Sequence, residues 1–556
     1  MAVCTSSFLK LRAYAPDNTT TLQSFAISPD GRLVAFAAEV NGKRQLWLRA
    51  LDALQAQPVR GTEDARFPFW SPDSRYIAFF AQGKLNKIAA GGGPAESLCD
   101  APFGAGGSWS RNNVILFAPN AILGAPGIPI RRVSADGGVP ADVIGTKGRN
   151  GFPVFLPDGR HFLYVALSQS TEQDGVYLSS LDGKENLRVL SAALSPVVWA
   201  AGRLLFIRED TLMAQPFDVK RGHTMGEAFQ IAEGVSGVSV SETGLLLYQG
   251  SSGNAQLAWY DRGGKLLGTA SEPGTVSLPR ISPDERSLVF VRRGSDLEFH
   301  LWLRDLARGT EQRFTTEGSF NSAPVWSPQG DRIAFLSIRA GIPNLYQKPA
   351  DGTGQAELLL ATGVAMGPTQ WSRDGRFIVY MSEFDPKTKR DLWVLPMEHG
   401  VERKPIPFLH SQFNEMFGQL SPDSHWMAYA SDESGQNEVY VQPFPAADGR
   451  WKISIAGGSE PRWRGDGQEL FFVSRDGSMN AVAVHAALPS GRVAKSSFQV
   501  GTPEPLFETH LIGGPNLKYD VTVDGKRFVL ATLTGSGSVS APLLTMVVNW
   551  DAGLKK

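Results

Sequence analysis

The tetrapeptide Ser28–Gly31 (SPDG) decides the fold, because copies of it recur through the whole chain. Strong copies begin at Ser71 (SPDS), Leu156 (LPDG), Ser282 (SPDE), Ser327 (SPQG), Ser372 (SRDG) and Ser421 (SPDS). Weaker copies begin at Ser110, Ala200, Ser241, Arg464 and Thr522. These twelve copies, called anchors below, follow one another at intervals of about 45 residues, which is typical of a repeat architecture.

Each anchor is predicted to be a tight turn between two strands. Proline fixes φ near −65°, aspartate accepts a backbone N–H two residues further on, and glycine adopts positive φ at little cost. The aspartates of the anchors are therefore expected to stabilise turns rather than to act as acids or metal ligands.

Strand signals stand at fixed distances from the anchors. Eight residues after an anchor comes an aromatic residue in an alternating run, for example Phe335 in RIAFLS. About 20 residues after an anchor comes a second aromatic residue between apolar neighbours, for example Trp302 in HLWLRDL. A Gly/Asp turn then leads to a short fourth strand. Four antiparallel strands in each repeat predict an all-β protein built of β-propeller blades.

Twelve repeats are too many for one ring, since known rings usually hold about four to eight blades. We therefore predict two tandem TolB-like β-propellers, most simply of six blades each, at residues 21–272 and 273–556. A division into five and seven blades is also open. The segment 8–14 (FLKLRAY) is expected to pair with a strand within 543–550 and so to close the second ring.

Composition limits the partners. The 54 Lys and Arg residues and 55 Asp and Glu residues leave a net charge of −1, which offers no long-range attraction to nucleic acid or to anionic lipid. No apolar run approaches the ~18 residues of a membrane helix, and no export signal is visible. These features predict no membrane insertion and a cytoplasmic location.

Motifs of the common enzyme classes are missing from the sequence. It contains no G-x-S-x-G nucleophile motif, no P-loop and no H-E-x-x-H metal motif. We therefore expect no catalytic residue, no metal and no cofactor. Five tryptophans precede an anchor directly, and a position that repeats in this way indicates packing between blades: Trp70, Trp109, Trp326, Trp371 and Trp463.

Candidate ligand-binding residues stand near the start of the innermost strands, which should border the central mouth of a ring. Residues at these positions are polar and vary in charge, which favours a site for a protein, a peptide or a small polar ligand. They are Arg66, Arg149, Asn150, Asn321, Asn414, Glu415 and Glu460. The alternative is a polysaccharide lyase or hydrolase with its site in a ring mouth, and a divalent ion bound by several histidines would favour it.

An ordered series of motifs in the C-terminal half carries a resemblance to a known family. It includes LWLRDLARGTEQRFT (301–315), SAPVWSPQGDRIAF (322–335), EPRWRGDGQELFFV (460–473) and VVNWDAGL (547–554). The series resembles the TolB-like, WD-like propeller region that follows the kinase domain of bacterial eukaryotic-type serine/threonine kinases. The resemblance implies a sensory or protein-interaction module in signal transduction.

The kinase itself is not recognisable in this sequence, because the Gly-rich loop, the catalytic loop and the D-F-G motif are missing. The expectation carried over is therefore a non-catalytic propeller, with a separately encoded kinase as a candidate partner. In the resembling proteins the propeller follows a membrane helix, so a fused form would be extracytoplasmic.

Overall fold

The computed structural model describes the chain in segments. They are residues 8–11, 25–40, 43–101, 104, 106–119, 129–144, 149–167, 173–191, 195–250, 255–294, 298–318, 320–339, 342–361, 366–385, 388–398, 403–445, 449–487, 497–509, 518–533 and 544–550. Within these segments the regular structure consists of β-strands, which confirms the all-β prediction.

The chain forms two compact units. The first contains residues 1–253 and 537–556, and the second contains residues 254–536. The sequence places the boundary between residues 272 and 273 instead.

Residues 8–250 contribute strands β1 to β24. They are β1 (Phe8–Leu11), β2 (Phe25–Ile27), β3 (Leu33–Val40), β4 (Lys43–Ala50), β5 (Gln57–Pro58), β6 (Arg66–Trp70), β7 (Tyr76–Ala81), β8 (Lys84–Ala89), β9 (Glu96–Asp100), β10 (Gly107–Trp109), β11 (Val114–Phe117), β12 (Arg131–Ser134), β13 (Ala141–Asp142), β14 (Arg149–Phe155), β15 (His161–Leu167), β16 (Gly175–Ser180), β17 (Asn186–Ser191), β18 (Val198–Ala200), β19 (Arg203–Arg208), β20 (Thr211–Asp218), β21 (His223–Thr224), β22 (Phe229–Glu233), β23 (Val235–Val240) and β24 (Leu246–Gly250).

The rest of the chain contributes strands β25 to β50. They are β25 (Ala255–Asp261), β26 (Leu266–Thr269), β27 (Val276–Ile281), β28 (Ser287–Arg293), β29 (Phe299–Asp305), β30 (Glu311–Arg313), β31 (Phe320–Trp326), β32 (Arg332–Arg339), β33 (Ile342–Pro349), β34 (Glu357–Leu360), β35 (Met366–Trp371), β36 (Phe377–Asp385), β37 (Lys389–Pro396), β38 (Ile406–Leu409), β39 (Glu415–Leu420), β40 (Trp426–Ser431), β41 (Glu438–Pro443), β42 (Trp451–Lys452), β43 (Ser459–Trp463), β44 (Glu469–Val473), β45 (Ser478–Ala487), β46 (Ser497–Val500), β47 (Glu504–Glu508), β48 (Tyr519–Val521), β49 (Arg527–Leu533) and β50 (Leu544–Val547).

Consecutive strands pair antiparallel in the order of the chain, so that a repeat forms one sheet of the kind β6-β7-β8-β9. One larger sheet joins two repeats through a single parallel bridge between Phe299 and Phe320. We number the repeats 1 to 12 by their anchors, so that repeat 7 has its anchor at Ser282 and repeat 12 at Thr522. Six blades in each ring stays a prediction, because this description covers only part of the chain.

The anchors form the predicted turns. In the first copy, Gly31 donates its N–H to the carbonyl of Ser28 at 2.8 Å, and Asp30 accepts the N–H of Arg32 at 3.0 Å. Gly31 has φ of 72°, and Ser74 and Glu285 adopt φ of 61° and 57° where their anchors lack glycine.

The hydrophobic cores lie between adjacent sheets, as expected for blades that bury their faces only against each other. One core, for example, combines Ala35 and Leu46 of repeat 1 with Ile77, Phe79 and Ile88 of repeat 2. Burial of each large side chain of this kind contributes roughly 1.5–3 kcal/mol.

In each unit the innermost strand of the first repeat contacts those of the second and of the last repeat. In the first unit β2 contacts both β6 and β23, and in the second unit β27 contacts both β31 and β48. The first and last repeats therefore meet, which closes each ring.

The last sheet of each unit is completed by strands from a distant part of the chain. In the first unit the strand order of this sheet is β23-β24-β50-β1. Val547 of β50 lies opposite Leu246 of β24 on one side and opposite Phe8 of β1 on the other. In the second unit, β48 and β49 are followed by β25 and β26, with Ala255 opposite Leu533.

This pairing corrects the predicted ring closure. The segment 8–11 does pair with 544–547, but their sheet belongs to the first unit and not to the second. The prediction assumed that the strand near residues 544–547 pairs with β49 as the third strand of repeat 12. In the structure β25 pairs with β49 instead, and β50 pairs with β24. Residues 12–14 of the predicted strand lie outside the described residues.

Candidate functional site

A cavity of about 420 Å³ lies on the ring axis of the second unit, at the face that carries the anchor turns. All six repeats of this unit contribute to its wall. The residue two positions before each anchor lines it, and we call these the axial residues: Arg280, Val325, Gln370, Gln419, Arg462 and Asp520.

A β-bulge precedes the axial residue in most of these strands. The pairing register shifts between Ser277 and Arg280 in β27 and between Ser459 and Arg462 in β43. Within these bulges Leu278 and Glu460 have φ of 54° and 58°. Since a bulge bends its strand and re-aims the following side chain, it directs the axial residues towards the cavity.

The charged axial residues are adjacent around the ring, in repeats 11, 12 and 7. Arg280 and Arg462 are 6% and 5% exposed, so both guanidinium groups are buried. Nε of Arg462 lies 3.4 Å from Oδ1 of Asp520, and Oδ2 of Asp520 accepts the N–H of Ile281 at 2.9 Å. We call Arg280, Arg462, Asp520, Glu460 and Lys518 the charged sector.

The two arginines have unmet donors. Nε and Nη2 of Arg280 and of Arg462 are buried and make no hydrogen bond in the described part of the chain. The Arg462–Asp520 approach is close enough for charge attraction but lacks hydrogen-bond geometry. Burial and the neighbouring charge of Arg462 lower the pKa of Arg280 to about 9. Each unmet donor costs about 1–3 kcal/mol, which an anion would recover.

Glu460 and Lys518 stand four residues before their anchors, one step deeper in the strands. Oε2 of Glu460 accepts the N–H of Lys518 at 2.8 Å, and its carbonyl accepts the hydroxyl of Tyr519 at 2.8 Å. Burial raises the pKa of Glu460, while the charges of Lys518, Arg462 and Arg280 oppose this effect.

On the opposite side of the ring the axial residues are amides that join two repeats. Gln370 donates to the carbonyl of Leu420 at 3.0 Å and accepts the N–H of Leu420 at 2.5 Å. Gln419 donates to the carbonyl of Thr369 at 2.7 Å. These amides join repeats 9 and 10.

The tryptophans before the anchors join neighbouring repeats. Nε1 of Trp326 donates to the carbonyl of Arg280 at 3.0 Å, and Nε1 of Trp463 donates to the carbonyl of Gln419 at 3.1 Å. In the first unit Trp70 donates to the carbonyl of Ala26 at 3.0 Å. These bonds confirm the predicted packing role for Trp70, Trp326 and Trp463, whereas Nε1 of Trp371 donates to the carbonyl of Gly375 in its own repeat at 3.3 Å. Trp326, Trp371 and Trp463 also line the cavity.

The residues at the axial position of the first unit carry no charge. They are Ala26, Phe69, Ser108, Val154, Val198 and Ser239. The charged sector is therefore a property of the second unit alone. The signal that could have located it is the residue type two positions before each anchor, which the sequence reasoning did not compare.

Among the predicted binding residues, Glu460 belongs to the charged sector. Asn321 is fully buried, and its Nδ2 donates to the carbonyls of Phe299, Glu317 and Gly318, so it holds the preceding loop. Ligand binding by Glu460 stays a prediction.

Asn414 and Glu415 lie where repeat 10 meets repeat 9. Asn414 donates its N–H and its Nδ2 to Asp432, and Oε1 of Glu415 accepts the hydroxyl of Ser411 at 2.5 Å. Glu415 is 4% exposed, and burial, with the charges of Asp391 and Asp432, raises its pKa to about 7.

Arg66 and Asn150 belong to the first unit, where they lie in β6 and β14, and the side chain of Arg149 lies outside the described residues. The structure therefore does not bring the seven predicted residues together, because they divide between two rings. Ligand binding by Arg66, Asn150, Asn321, Asn414 and Glu415 also stays a prediction.

In the described segments, no three or more His, Cys, Asp and Glu side chains are grouped so that they could hold a metal ion. The same segments contain no helix of the length and apolarity that a membrane span requires.

Known proteins are similar to this chain in fold. A family model described as the TolB beta propeller domain matches residues 262–394, within the second unit. Putative TolB from Agrobacterium tumefaciens is similar at 20% identity and a TM-score of 0.40, over 51% of this chain and 99% of that chain. TolB from Acinetobacter baumannii is 14% identical with a TM-score of 0.32, over 70% and 80%. An oligogalacturonate lyase from Vibrio parahaemolyticus is 13% identical with a TM-score of 0.33, over 62% and 97%.

Proposed function

We propose that this chain is a non-catalytic binding module, and that the axial cavity of its second unit holds an anionic group of a peptide, protein or small polar ligand. The observation that carries the proposal is the pair of buried guanidinium groups with unmet N–H donors in the wall of that cavity. A guanidinium group is always charged at neutral pH and is suited to bind carboxylate or phosphate.

The electrostatics of the site support the proposal. The charge of Arg462 is near enough to disfavour that of Arg280, and Asp520 is the one axial carboxylate beside them. An anion between the arginines would supply the missing acceptors and relieve this repulsion. Both gains occur in a buried site, where electrostatic interactions are stronger than in water.

The sensory role and the kinase partner implied by the sequence resemblance are part of this proposal. Binding in the second unit would be the sensed event, and a separately encoded kinase would receive it. A cytoplasmic location in the absence of an export signal, or an extracytoplasmic one behind a fused membrane helix, stays a prediction.

The test is calorimetric titration of the whole chain with sodium acetate and with inorganic phosphate at constant ionic strength. At least one anion should bind to the natural protein, and Arg462→Met should weaken binding about tenfold or more, since a charge-assisted hydrogen bond is lost. Arg462→Lys, which keeps the charge but not the planar fork, should give an intermediate result.

The matched control is Arg111→Met in the first unit, where Arg111 is exposed and paired with Glu242 at 2.7 Å. This variant should bind as the natural protein does. If the natural protein binds neither these anions nor the anionic peptides described below, or if Arg111→Met weakens binding as much as Arg462→Met, the proposed site is wrong. Cleavage of oligogalacturonate that is lost in Arg462→Met would instead support the lyase or hydrolase alternative.

A further inference from the structure

We propose that the anionic group held in the axial cavity is a terminal carboxylate on an apolar body, as at the C-terminal end of a peptide. This inference rests on the proposed function and specifies the ligand of that site. Four features of the cavity lead to it: the net charge, the geometry of the unmet donors, the chemistry of the walls and the depth.

The charge of the cavity wall favours a ligand with one negative charge. Among the residues that line the cavity, Arg280, Arg373 and Arg462 are cations and Glu285 and Asp520 are carboxylates, which leaves one net positive charge. A carboxylate neutralises this charge. A phosphate monoester carries about −1.5 to −2 at pH 7, so it would leave excess negative charge beside Asp520.

The unmet donors have the geometry that a carboxylate requires. Nε and Nη2 form one edge of a guanidinium group, and in both Arg280 and Arg462 this edge has no hydrogen-bond partner among the described residues. The two parallel N–H bonds of such an edge match the two oxygens of a carboxylate. Arg462 lies 3.4 Å from Asp520 without hydrogen-bond geometry, so both edges can donate to the ligand, and the edge of Arg280 is assigned as the main contact.

The walls favour an apolar body next to the carboxylate. Trp326, Trp371 and Trp463 line the cavity together with Pro283, Pro328 and Pro422 of the anchor turns. Polar residues such as Ser327 and Thr369 also line the cavity, so these aromatic and proline side chains provide an apolar contact area beside the charged groups, where a leucine-like or aromatic side chain can pack.

The depth of the cavity favours a chain end over an internal acidic group. Leu278 and Phe417 lie one step deeper than the axial residues, since each stands four residues before the anchor of its own repeat. They are 6% and 3% exposed and belong to one hydrophobic cluster. Glu460 occupies the same level in repeat 11 and is 5% exposed. A ligand can therefore enter from the anchor face and must end near the arginines.

The experiment compares small peptides by calorimetric titration of the whole chain. The probes are N-acetyl-Ala-Ala-Leu with a free carboxylate, the same peptide as its C-terminal amide, and N-acetyl-Ala-Glu-Leu amide, which carries its single charge internally. Acetate and inorganic phosphate complete the set. We expect the free acid to bind best and both amides to bind about tenfold or more weakly, because they lack the terminal carboxylate.

Two variants locate the contact. Arg280→Lys should weaken binding of the free acid about tenfold and leave the weak binding of the amides unchanged, because lysine keeps the charge but not the donor edge. Arg111→Lys in the first unit is the control and should have no effect. Should Arg280→Lys unfold the second unit, Arg462→Lys serves as the second variant, with the same expected direction.

The outcomes separate this inference from the proposed function. If phosphate binds more tightly than the free acid, the carboxylate assignment is wrong while the anion site stands. If the peptide with the internal glutamate binds as tightly as the free acid, the assignment of a chain end is wrong. If acetate binds as tightly as the free acid, the assignment of an apolar body is wrong. If no probe binds to the natural protein, the proposed function fails as well.

Discussion

The carboxylate of Asp520 accepts the backbone N–H of Ile281 at 2.9 Å, and this bond joins the last repeat of the second unit to its first. The other oxygen of the same carboxylate faces Arg462 at 3.4 Å. One side chain thus contributes both to ring closure and to the charge balance of the cavity.

Asp520→Asn should separate these two contributions. The amide oxygen can still accept the N–H of Ile281, but the charge opposite Arg462 is lost. We expect acetate to bind several-fold more tightly, and the free energy of unfolding to fall by about 1–3 kcal/mol because a buried cation loses its counter-ion. Calorimetric titration and urea unfolding measure the two effects.

The control for this substitution is Asp142→Asn, at an exposed pair with Arg131 in the first unit. It should change the free energy of unfolding by about 0.5 kcal/mol or less, because exposed ion pairs contribute little. Unchanged acetate affinity in Asp520→Asn would show that this carboxylate does not set the charge of the cavity.

Glu415→Gln should change how stability depends on pH. Burial, with the charges of Asp391 and Asp432, raises the pKa of Glu415 from 4.5 to about 7. Between these values the unfolded chain ionises while the folded chain keeps its proton, so this group favours unfolding increasingly as pH rises from 4.5 to about 7. Above that range its effect is constant.

The measurement is the free energy of unfolding of the natural protein and of Glu415→Gln across this pH range. The variant should become relatively more stable towards neutral pH, since glutamine does not ionise. Glu96→Gln, at an exposed carboxylate of the first unit, is the control. A difference between natural protein and Glu415→Gln that stays constant from pH 4.5 to 7 would contradict the role assigned to burial.

Deletion of residues 1–15 should loosen the first unit. β1 pairs with β50, and β50 pairs with β24, so the deletion exposes one edge of that sheet. Hydrogen exchange should become faster in β50 and β24, because their sheet loses its outer strand. The sheet that contains β25 and β49 should keep its exchange rates. The opposite pattern, with faster exchange in β25 and β49 alone, would support the sequence-based prediction that residues 8–14 close the second ring.

Gly31→Ala should cost more stability than Gly244→Ala. Both glycines lie in anchor turns with positive φ, of 72° and 83°. The left-handed backbone conformation should therefore lower the free energy of unfolding by about 1–2 kcal/mol in either alanine variant. A Cβ at Gly31 would also clash with Oγ1 of Thr243, whereas a Cβ at Gly244 meets nothing within 4 Å.

Urea unfolding of the two variants and of the double variant Gly31→Ala/Thr243→Ala tests this contact. The double variant should recover part of the excess cost, as expected for residues in direct contact. Equal costs at the two glycines would show that the turn adjusts to the added methyl group.

The sequence alone determined the repeat and its strands. An anchor such as Ser28–Gly31 forms its turn through bonds within a few residues, so its structure does not depend on distant parts of the chain. The apolar runs around Phe335 and Trp302 likewise mark strands, although β32 is buried on both faces and not on one, because its sheet packs between two others. These are local interactions, and they sufficed to predict an all-β fold with repeats of about 45 residues.

Only the tertiary structure decided how the rings close and where charge collects. The edge of β24 can pair with any suitable strand, and the choice of β50 depends on β25 having taken the edge of β49. Arg280 and Asp520 are 240 positions apart in the chain but lie in adjacent repeats of a closed ring. Sequence distance carries no information about such neighbours, because ring closure brings the first and last repeats of a unit together.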